Sequence, residues 1–405
     1  MRKKTLPRFD QLIGLRAIRP LLALFLYCLS AIVCPLPCCA QSDTITVGVL
    51  LDLSGPGSLN GAAAYKAIRL AAEQINAQGG VKGKRLNIAV FNTQGLKNQL
   101  LSGAKRLELE FGASVLLGPT DTSNVMLLRR YAESNKIPLI LIQGIDPIFR
   151  FTGTKTNWTF STTVNFDAEL KALFSYFRSK DYETLGGLMD NTETTRKIGL
   201  WIRGYAPEYG MKITCLGRFN PNQEDIGMKF EYLSRCAPDI TLIWASWASA
   251  PLVKKDLKRM DVPMALSHQL FSPDPHTLSL PVGSLIYAAV PPILFWQYVP
   301  RSSLSYFPTM RFIDAWGSEF QSMAPEQQLA AGQAWDGLRL ACRAISSAAN
   351  LSHRAIRTSL EKKMAPFAGV MGVFSPNKRD HSGLSAKSLL LLRCMGSHWS
   401  LVRIQ

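Results

Sequence analysis

Short apolar runs alternate with longer amphipathic runs through residues 45–142. The run ITVGVLLDL at 45–53 is followed by Ser-Gly-Pro-Gly, a pattern typical of a buried strand that ends in a turn. In 61–77, apolar residues recur at helical spacing and a Gly-Gly pair follows, which indicates a helix packed on a sheet. The predicted strands are 45–53, 86–91, 114–117 and 137–142, and the helices between them are 61–77, 96–111 and 123–134. Strands joined by helices form right-handed βαβ units, so we expect a parallel sheet covered on both faces.

The same alternation begins again after residue 159, which predicts a second sheet of the same kind. Its predicted strands are 184–189, 211–219, 240–245 and 264–267, with helices at 168–179, 195–205, 228–234 and 252–259. Helical runs then follow at 310–320 and 328–349, and strand runs at 388–393 and 399–404.

The return to helices and strands near the C-terminus predicts that each lobe is built from two separate parts of the chain. We expect an α/β protein of two Rossmann-like lobes, with parallel sheets flanked by helices and a multi-strand hinge. Lobe 1 is predicted to comprise 43–162 and 291–375, and lobe 2 to comprise 163–290 and 376–405. A chain that crosses repeatedly between two such sheets leaves a ligand cleft at the carboxyl ends of their strands.

A basic N-terminal stretch precedes the apolar run 21–33, and prolines and small residues follow up to Ala40. This order predicts a secretory signal peptide over 1–40, because a positive leader stays on the cytoplasmic side while the apolar run enters the translocon. The run is shorter than the roughly 20 residues that a bilayer-spanning helix needs. An uncleaved anchor is the alternative, and a lipid anchor on Cys34 or Cys39 is not favoured. We therefore expect the mature chain to be exported across the membrane.

The chain carries a net charge of +17, from 46 Lys and Arg against 29 Asp and Glu. The sequence lacks Lys/Arg tracts with interleaved aromatic residues. The positive charge therefore indicates a basic protein surface, and no nucleic-acid partner is expected. The sequence holds no GxSxG, GxxxxGK[ST] or HExxH motif, and its five histidines lack metal-ligand spacing. We therefore expect neither an enzyme nor a metal or cofactor site.

Four cysteines follow the predicted leader: Cys215, Cys236, Cys342 and Cys394. In an oxidising compartment Cys215 and Cys236 are the candidate disulfide, since one lies in a predicted strand and the other just before the next. Four cysteines allow three connectivities, and buried free thiols are the alternative. No CxxC pair is present, which argues against structural zinc.

Seven sequence blocks stand out along the chain: SGPGSLNG (54–61), AAEQINAQGGVKGKRLNI (71–88), VLLGPTDTSN (115–124), IPLILIQGIDP (137–147), NQEDIGMKFEYLSRCAPDITLIWAS (222–246), AAGQAWDGLRLACRAI (330–345) and FAGVMGVFSPNKRDHSGL (367–384). In this order, they closely resemble the type I periplasmic substrate-binding proteins of the branched-chain amino acid and amide group. The resemblance covers 43–405, and its most specific part is the helix end with the following Gly-Gly-Val-Lys-Gly.

The resemblance implies a monomeric receptor that closes two lobes on a small polar solute and delivers it to the permease of an ABC transporter in the membrane. An amino acid, an amide or a small carboxylate is the implied class of solute. The alternative is a periplasmic ligand sensor that uses the same fold to signal to a membrane partner.

Candidate ligand contacts begin with the loop 118–123, which leads into a predicted helix. Unpaired backbone N–H groups at a helix start suit a carboxylate or carbonyl oxygen, and Thr122 and Ser123 add hydroxyl donors. Helix capping by Thr122 or Ser123 is the alternative role. The resemblance adds further candidate positions: Ser54, Asn60, Thr120, Gln143, Gly144, Ile145, Trp247, His268 and Gln269.

Two departures from the family's pattern bear on the solute. In amino-acid receptors the region around 267–269 commonly holds an acid for the solute's ammonium group, but here the nearest acid in sequence is Asp274. A buried ammonium without an anionic partner is costly, so amides and small carboxylates stay open beside amino acids. The turn Asp190-Asn191-Thr192-Glu193 also lacks the Tyr-Gly that is common in the family.

Overall fold

The computed structural model describes residues 44–143, 158–223, 225–278, 280, 283–362, 365–395 and 398–402. The predicted signal peptide, 1–40, lies outside the described residues. None of the helices within the described ranges has the length and apolar character needed to cross a membrane.

The first sheet is fully parallel and is built from the N-terminal part of the chain. Its strands are β1 (Thr44–Leu51), β2 (Arg85–Asn92), β3 (Val115–Leu117), β4 (Leu139–Leu141) and β5 (Thr159–Ser161), in the order β2-β1-β3-β4-β5. Consecutive residues of β1, such as Val49 and Leu50, are both fully buried, so helices cover both faces of this sheet.

The helices of the first lobe follow its strands. They are α1 (Ser58–Ala77), α2 (Lys97–Leu109) and α3 (Val125–Asn135). Small residues let α1 approach the sheet closely, since Ala64, Ala67 and Ala71 are fully buried on its inner face. At Gly61 a Cβ atom would lie 1.9 Å from the backbone oxygen of Asp52, so only glycine fits where the helix passes the end of β1.

The second lobe repeats this architecture. Its helices are α4 (Phe166–Ser179), α5 (Glu193–Glu208), α6 (Gly227–Arg235) and α7 (Ala250–Asp256), and its first strands are β6 (Thr184–Asp190), β7 (Lys212–Phe219), β8 (Ile240–Trp244), β9 (Met264–Leu266) and β10 (Leu285–Val290). These strands are parallel in the order β10-β9-β8-β6-β7, which leaves β7 at one edge of the sheet.

The chain then returns to the first lobe. The returning elements are α8 (Tyr306–Trp316), α9 (Pro325–Ser347), α10 (His353–Lys362) and the hairpin of β11 (Phe367–Ala368) and β12 (Val373–Phe374). Helix α9 packs along α1, and the buried Trp335 ring meets Phe312 of α8 edge-on with 5.1 Å between centroids.

The chain finally rejoins the second sheet through β13 (Leu390–Met395) and β14 (His398–Leu401), which extend it antiparallel beyond β10. Each sheet therefore belongs to a lobe assembled from separated stretches of sequence, and the predicted α/β class with two helix-flanked sheets is confirmed.

Candidate ligand-binding cleft

A cavity of about 600 Å³ lies between the two lobes. The first lobe supplies Thr122, Gln143, Glu326, Leu329 and Gln333 to its wall. The remaining wall residues are Val164, Phe166, Thr192, Thr194, Thr195, Ser246, Trp247, Ala248, His268 and Gln269. Many of them follow directly on β3, β4, β6, β8 or β9, so the cavity lies at the carboxyl ends of both sheets, where α/β folds bind ligands.

In the loop after β3, an acidic residue caps the following helical turn. The carboxylate of Asp121 accepts hydrogen bonds from the Ser123 N–H at 2.9 Å and from the Ser123 hydroxyl at 2.6 Å. The alternative role of Thr122 or Ser123 as the cap is therefore not seen, because the stronger acceptor, the Asp121 carboxylate, lies one position earlier than Thr122. This leaves the hydroxyl of Thr122, in the cavity wall, without a hydrogen-bond partner among the described residues.

Three other predicted contacts of the first lobe are engaged in bonds within the protein. Ser54 Oγ accepts from Asn92 at 2.9 Å, and the buried Thr120 Oγ1 accepts from the Asp52 N–H at 2.9 Å. Asn60 donates to Glu326 at 2.9 Å. These three residues and Ser123 lie outside the cavity wall, whereas Gln143 is part of it. Gly144 and Ile145 lie outside the described residues.

On the second lobe, three rings form one wall of the cleft. Phe166 stacks on the imidazole of His268 with 5.4 Å between ring centroids, and Trp247 meets that imidazole edge-on at 6.2 Å. His268 is only 3% exposed, while Trp247 is partly buried. The predicted positions Trp247, His268 and Gln269 are thus brought together, and Phe166 is an aromatic wall residue that the sequence did not single out.

His268 is held by a buried acid that lies far away in sequence. Glu169, in the first turn of α4, accepts from the His268 N–H at 2.7 Å and contacts its Nδ1 at 2.7 Å. Since a carboxylate only accepts, Nδ1 carries the proton, and Nε2 is left without a partner in the described structure. Asp274, the nearest acid in sequence, instead caps the local turn by accepting from the His276 N–H at 3.0 Å.

The buried carboxylate of Asp190 organises the loops after β6 and β8. It accepts from the Ser246 N–H at 2.8 Å, from the Ser246 and Ser249 hydroxyls at 2.6 and 2.8 Å, and from the Thr192 hydroxyl at 3.0 Å. Burial raises the pKa of Asp190, but the hydrogen bonds from Ser246 and Ser249 oppose it, and the pKa lies below its usual value. The ionised carboxylate therefore fixes the segment that carries Trp247.

We expect Asp190→Ala to lower the free energy of unfolding by about 2–3 kcal/mol, because it leaves a backbone N–H and three hydroxyl groups without their acceptor. Urea denaturation at pH 7 measures this loss. Asp190→Asn is the matched control, since it keeps the volume and one acceptor oxygen, and about half of the loss is expected. Equal stability of Asp190→Ala and the wild type would contradict this account.

The cleft wall has few charges. Within the described residues of the wall, Glu326 is the carboxylate and His268 the ionisable nitrogen, and the other polar groups are hydroxyls and amides. The side chain of Gln333 is 5% exposed, and its Oε1 has no hydrogen-bond partner among the described residues. The sequence did not reveal Glu326 and Gln333 as wall residues, although their spacing of seven residues on a helix places both on one face.

The candidate disulfide residues are neighbours with free thiols. Cys215, on β7, is buried, and burial together with a hydrogen bond to the Cys236 thiol raises its pKa to about 11. A high pKa keeps the thiol protonated and unreactive at neutral pH. A disulfide between Cys215 and Cys236 stays a prediction.

The fold and the cleft together define a two-lobed α/β binding protein whose ligand-binding cleft lies between the lobes. The sequence model of the periplasmic binding protein family matches residues 44–389, so the chain belongs to that family. This confirms the resemblance to the type I periplasmic substrate-binding proteins. No curated protein sequence matches the chain significantly.

Solved structures with the same fold share little sequence with this chain. An extracellular ligand-binding receptor from Rhodopseudomonas palustris HaA2 is 20% identical, with a TM-score of 0.70 over 89% of this chain and 100% of that one. The branched-chain amino acid transporter substrate-binding protein LivJ from Streptococcus pneumoniae, in complex with isoleucine, is 17% identical, with a TM-score of 0.63 over 89% and 100%. The leucine-binding protein LivK from Thermotoga maritima is 13% identical, with a TM-score of 0.62 over 89% and 98%.

Proposed function

We propose that the protein is the extracytoplasmic solute receptor of an ABC importer and binds a small polar solute, such as an amino acid, an amide or a small carboxylate. The observation that carries this proposal is the cavity of about 600 Å³ whose wall comes from both lobes. A volume of this size suits a small molecule. The shared fold with LivJ, a transporter substrate-binding protein, and with LivK, a leucine-binding protein, supports the same class of role.

The mechanism is closure of the lobes on the solute. Contacts from Thr122, Gln143 and Gln333 on one side, and from Trp247 and Gln269 on the other, exist together only when the cleft is shut. A solute that makes both sets of contacts therefore stabilises the closed state. The protein makes and breaks no covalent bond in this role.

Selectivity comes from the polar groups in the wall. Gln333 Oε1 is buried without a partner among the described residues, so a solute that donates a hydrogen bond to it satisfies the group. A solute of similar size without a donor leaves this oxygen unpaired and is rejected. The rings of Phe166 and Trp247 cover the apolar part of the solute.

The closed, loaded receptor docks on a membrane permease, which takes over the solute. This role places the mature protein in the periplasm as a monomer, after removal of the signal peptide at 1–40.

A thermal-shift screen of the purified protein tests the proposal. The panel contains amino acids, amides, aliphatic acids, aromatic acids and polyols. A solute that binds only the folded state adds about 2.7 kcal/mol at a hundred times its dissociation constant, so a true solute raises the midpoint clearly. If no compound of the panel raised the unfolding midpoint and calorimetry also detected no binding, the proposed role as a receptor for small polar solutes would be contradicted.

For the solute found in this way, we expect Trp247→Ala to weaken binding at least about tenfold, because the ring closes one side of the cleft and a truncated aromatic contact is commonly worth that much. Isothermal titration calorimetry measures the affinity. Leu109→Ala, at an exposed position outside the cavity wall, is the control and should bind as the wild type does. Unchanged affinity in Trp247→Ala would exclude this ring from the site.

A further inference from the structure

A second cavity, of about 710 Å³, lies on the second lobe beside the edge strand β7. Side chains from β7, from α5 and from α6 line it, and it shares no wall residue with the cleft. Arg203, Arg218 and Lys229 supply positive charge to its wall, and Met228 and Tyr232 supply apolar surface.

A glycine on α5 lets a cation of the edge strand lie close against this helix. A Cβ atom at Gly199 would come within 2.7 Å of the Arg218 guanidinium, so the side chain of Arg218 passes directly over this position. Arg196 and Arg203 are on the same helix, one turn to either side of Gly199. Together with Lys229 on α6, these three arginines form a cluster that we call the basic face.

The cations of the basic face are exposed and repel one another. All four side chains are exposed, and none forms an ion pair within the described structure. Partial desolvation beside α5 lowers the pKa of the Arg218 guanidinium, and repulsion from Arg196 and Arg203 lowers it further, against an opposing effect of Asp190. The Asp190 carboxylate is itself buried and occupied by serine and threonine donors, so it does not neutralise the face.

Other cations of the same helices are paired, which sets the basic face apart. Lys197 on α5 bonds to Glu193 at 2.7 Å, and Arg235 on α6 lies 4.0 Å from Glu231. Glu193 also lies within electrostatic reach of Arg196, but Lys197 is the cation that its carboxylate binds. The cations without an ion pair are therefore concentrated on one side of these helices, next to the edge strand.

Exposed apolar side chains accompany these cations. Met228 is 81% exposed, Leu200 is 61% exposed and Tyr232 is 51% exposed. Long cationic side chains beside exposed apolar ones fit a surface that offers negative headgroups and an apolar layer beneath them.

We propose that the basic face binds the surface of a membrane that contains anionic phospholipids. The cations contact lipid phosphates, and Met228 and Tyr232 enter the headgroup layer. Binding of this kind keeps the protein near the membrane whichever solute occupies the cleft, so the inference stands independently of the proposed function.

Flotation of the full protein with vesicles tests the inference. We expect binding to vesicles of about 30% phosphatidylglycerol in phosphatidylcholine, little binding to pure phosphatidylcholine, and loss of binding in high salt. The variant Arg196→Gln/Arg203→Gln/Arg218→Gln/Lys229→Gln should bind the anionic vesicles at least about tenfold more weakly. Because these side chains are exposed, its melting temperature should stay close to that of the wild type.

A charge-matched control distinguishes an effect of the basic face from an effect of the protein's net charge. The variant Lys97→Gln/Lys105→Gln/Arg301→Gln/Lys378→Gln removes four exposed cations elsewhere and should keep binding within about twofold. An equal loss in both variants would overturn the proposal by showing that net charge alone attracts the protein. If the basic-face variant bound the anionic vesicles as strongly as the wild type, the proposal would also be overturned. The cations would then serve to prevent another strand from pairing with the edge strand β7.

Discussion

Replacement of Glu169 by alanine is expected to lower the free energy of unfolding by about 2–6 kcal/mol, since each buried polar group that loses its partner costs roughly 1–3 kcal/mol. Glu169 is fully buried and holds both the backbone N–H and the Nδ1 of His268 at 2.7 Å. Without it, two polar groups of His268 stay buried and unpaired. The imidazole also loses its fixed position in the cleft wall, so solute binding should weaken together with stability.

Denaturation by urea at pH 7 measures this effect. Glu169→Gln keeps an acceptor for the His268 N–H and should lose clearly less stability than Glu169→Ala. Glu193→Ala is a control for an exposed pair, and the loss of its bond to Lys197 should cost at most about 0.5 kcal/mol. A loss below about 1 kcal/mol in Glu169→Ala would mean that the buried pair does not support the fold.

Asp336 is expected to make the stability of the protein fall between about pH 4 and pH 7. Its carboxyl group is fully buried on α9 and accepts from the Val370 N–H at 3.0 Å and the Met371 N–H at 2.8 Å. Burial raises its pKa to about 7 from the usual 3.8, although the two backbone N–H groups favour the ionised form. In this pH range the folded state keeps a proton that the unfolded state has lost, so stability declines as pH rises.

The decline attributed to Asp336 is about 4 kcal/mol over the whole range, since each unit of pKa shift corresponds to about 1.4 kcal/mol. Urea denaturation of the wild type and Asp336→Asn from about pH 4 to pH 8 measures it. The variant has no group to titrate at this position, so its stability relative to the wild type should rise with pH. A constant difference across the range would show that Asp336 is ionised throughout and that its hydrogen bonds outweigh burial.

The sequence predicted most of the elements because their periodicity is strong. Runs such as 45–53 and 240–245 are mostly apolar, and β1 and β8 are buried on both faces. Strands β5 and β10 were not predicted. The first has only three residues, and the apolar run of the second fits a strand or a buried helix equally well, so its pairing with β9 and β13 decides its conformation.

The candidate site was predicted in part, because some of its residues follow parallel strands that end at one edge of a sheet. Thr122, Gln143, Trp247 and His268 follow directly on strands or their connecting turns, and all four reach the cavity because parallel strands end at one edge of the sheet. The roles of these residues as ligand contacts stay predictions. Ser54, Asn60 and Thr120 have similar positions in the sequence, but they lie outside the cavity wall and bond to Asn92, Glu326 and Asp52. Their roles as ligand contacts stay predictions too.

The sequence by itself determined the α/β class, the two sheets and the return of the chain to each lobe, because these depend on local periodicity and on the order of elements. Only the tertiary structure decided which distant residues hold the residues of the cleft wall in place. Glu169 meets His268 across 99 positions, and Asn60 meets Glu326 across 266. Such pairs leave no spacing signal, since their contact depends on how whole helices pack on sheets and not on the chain between them.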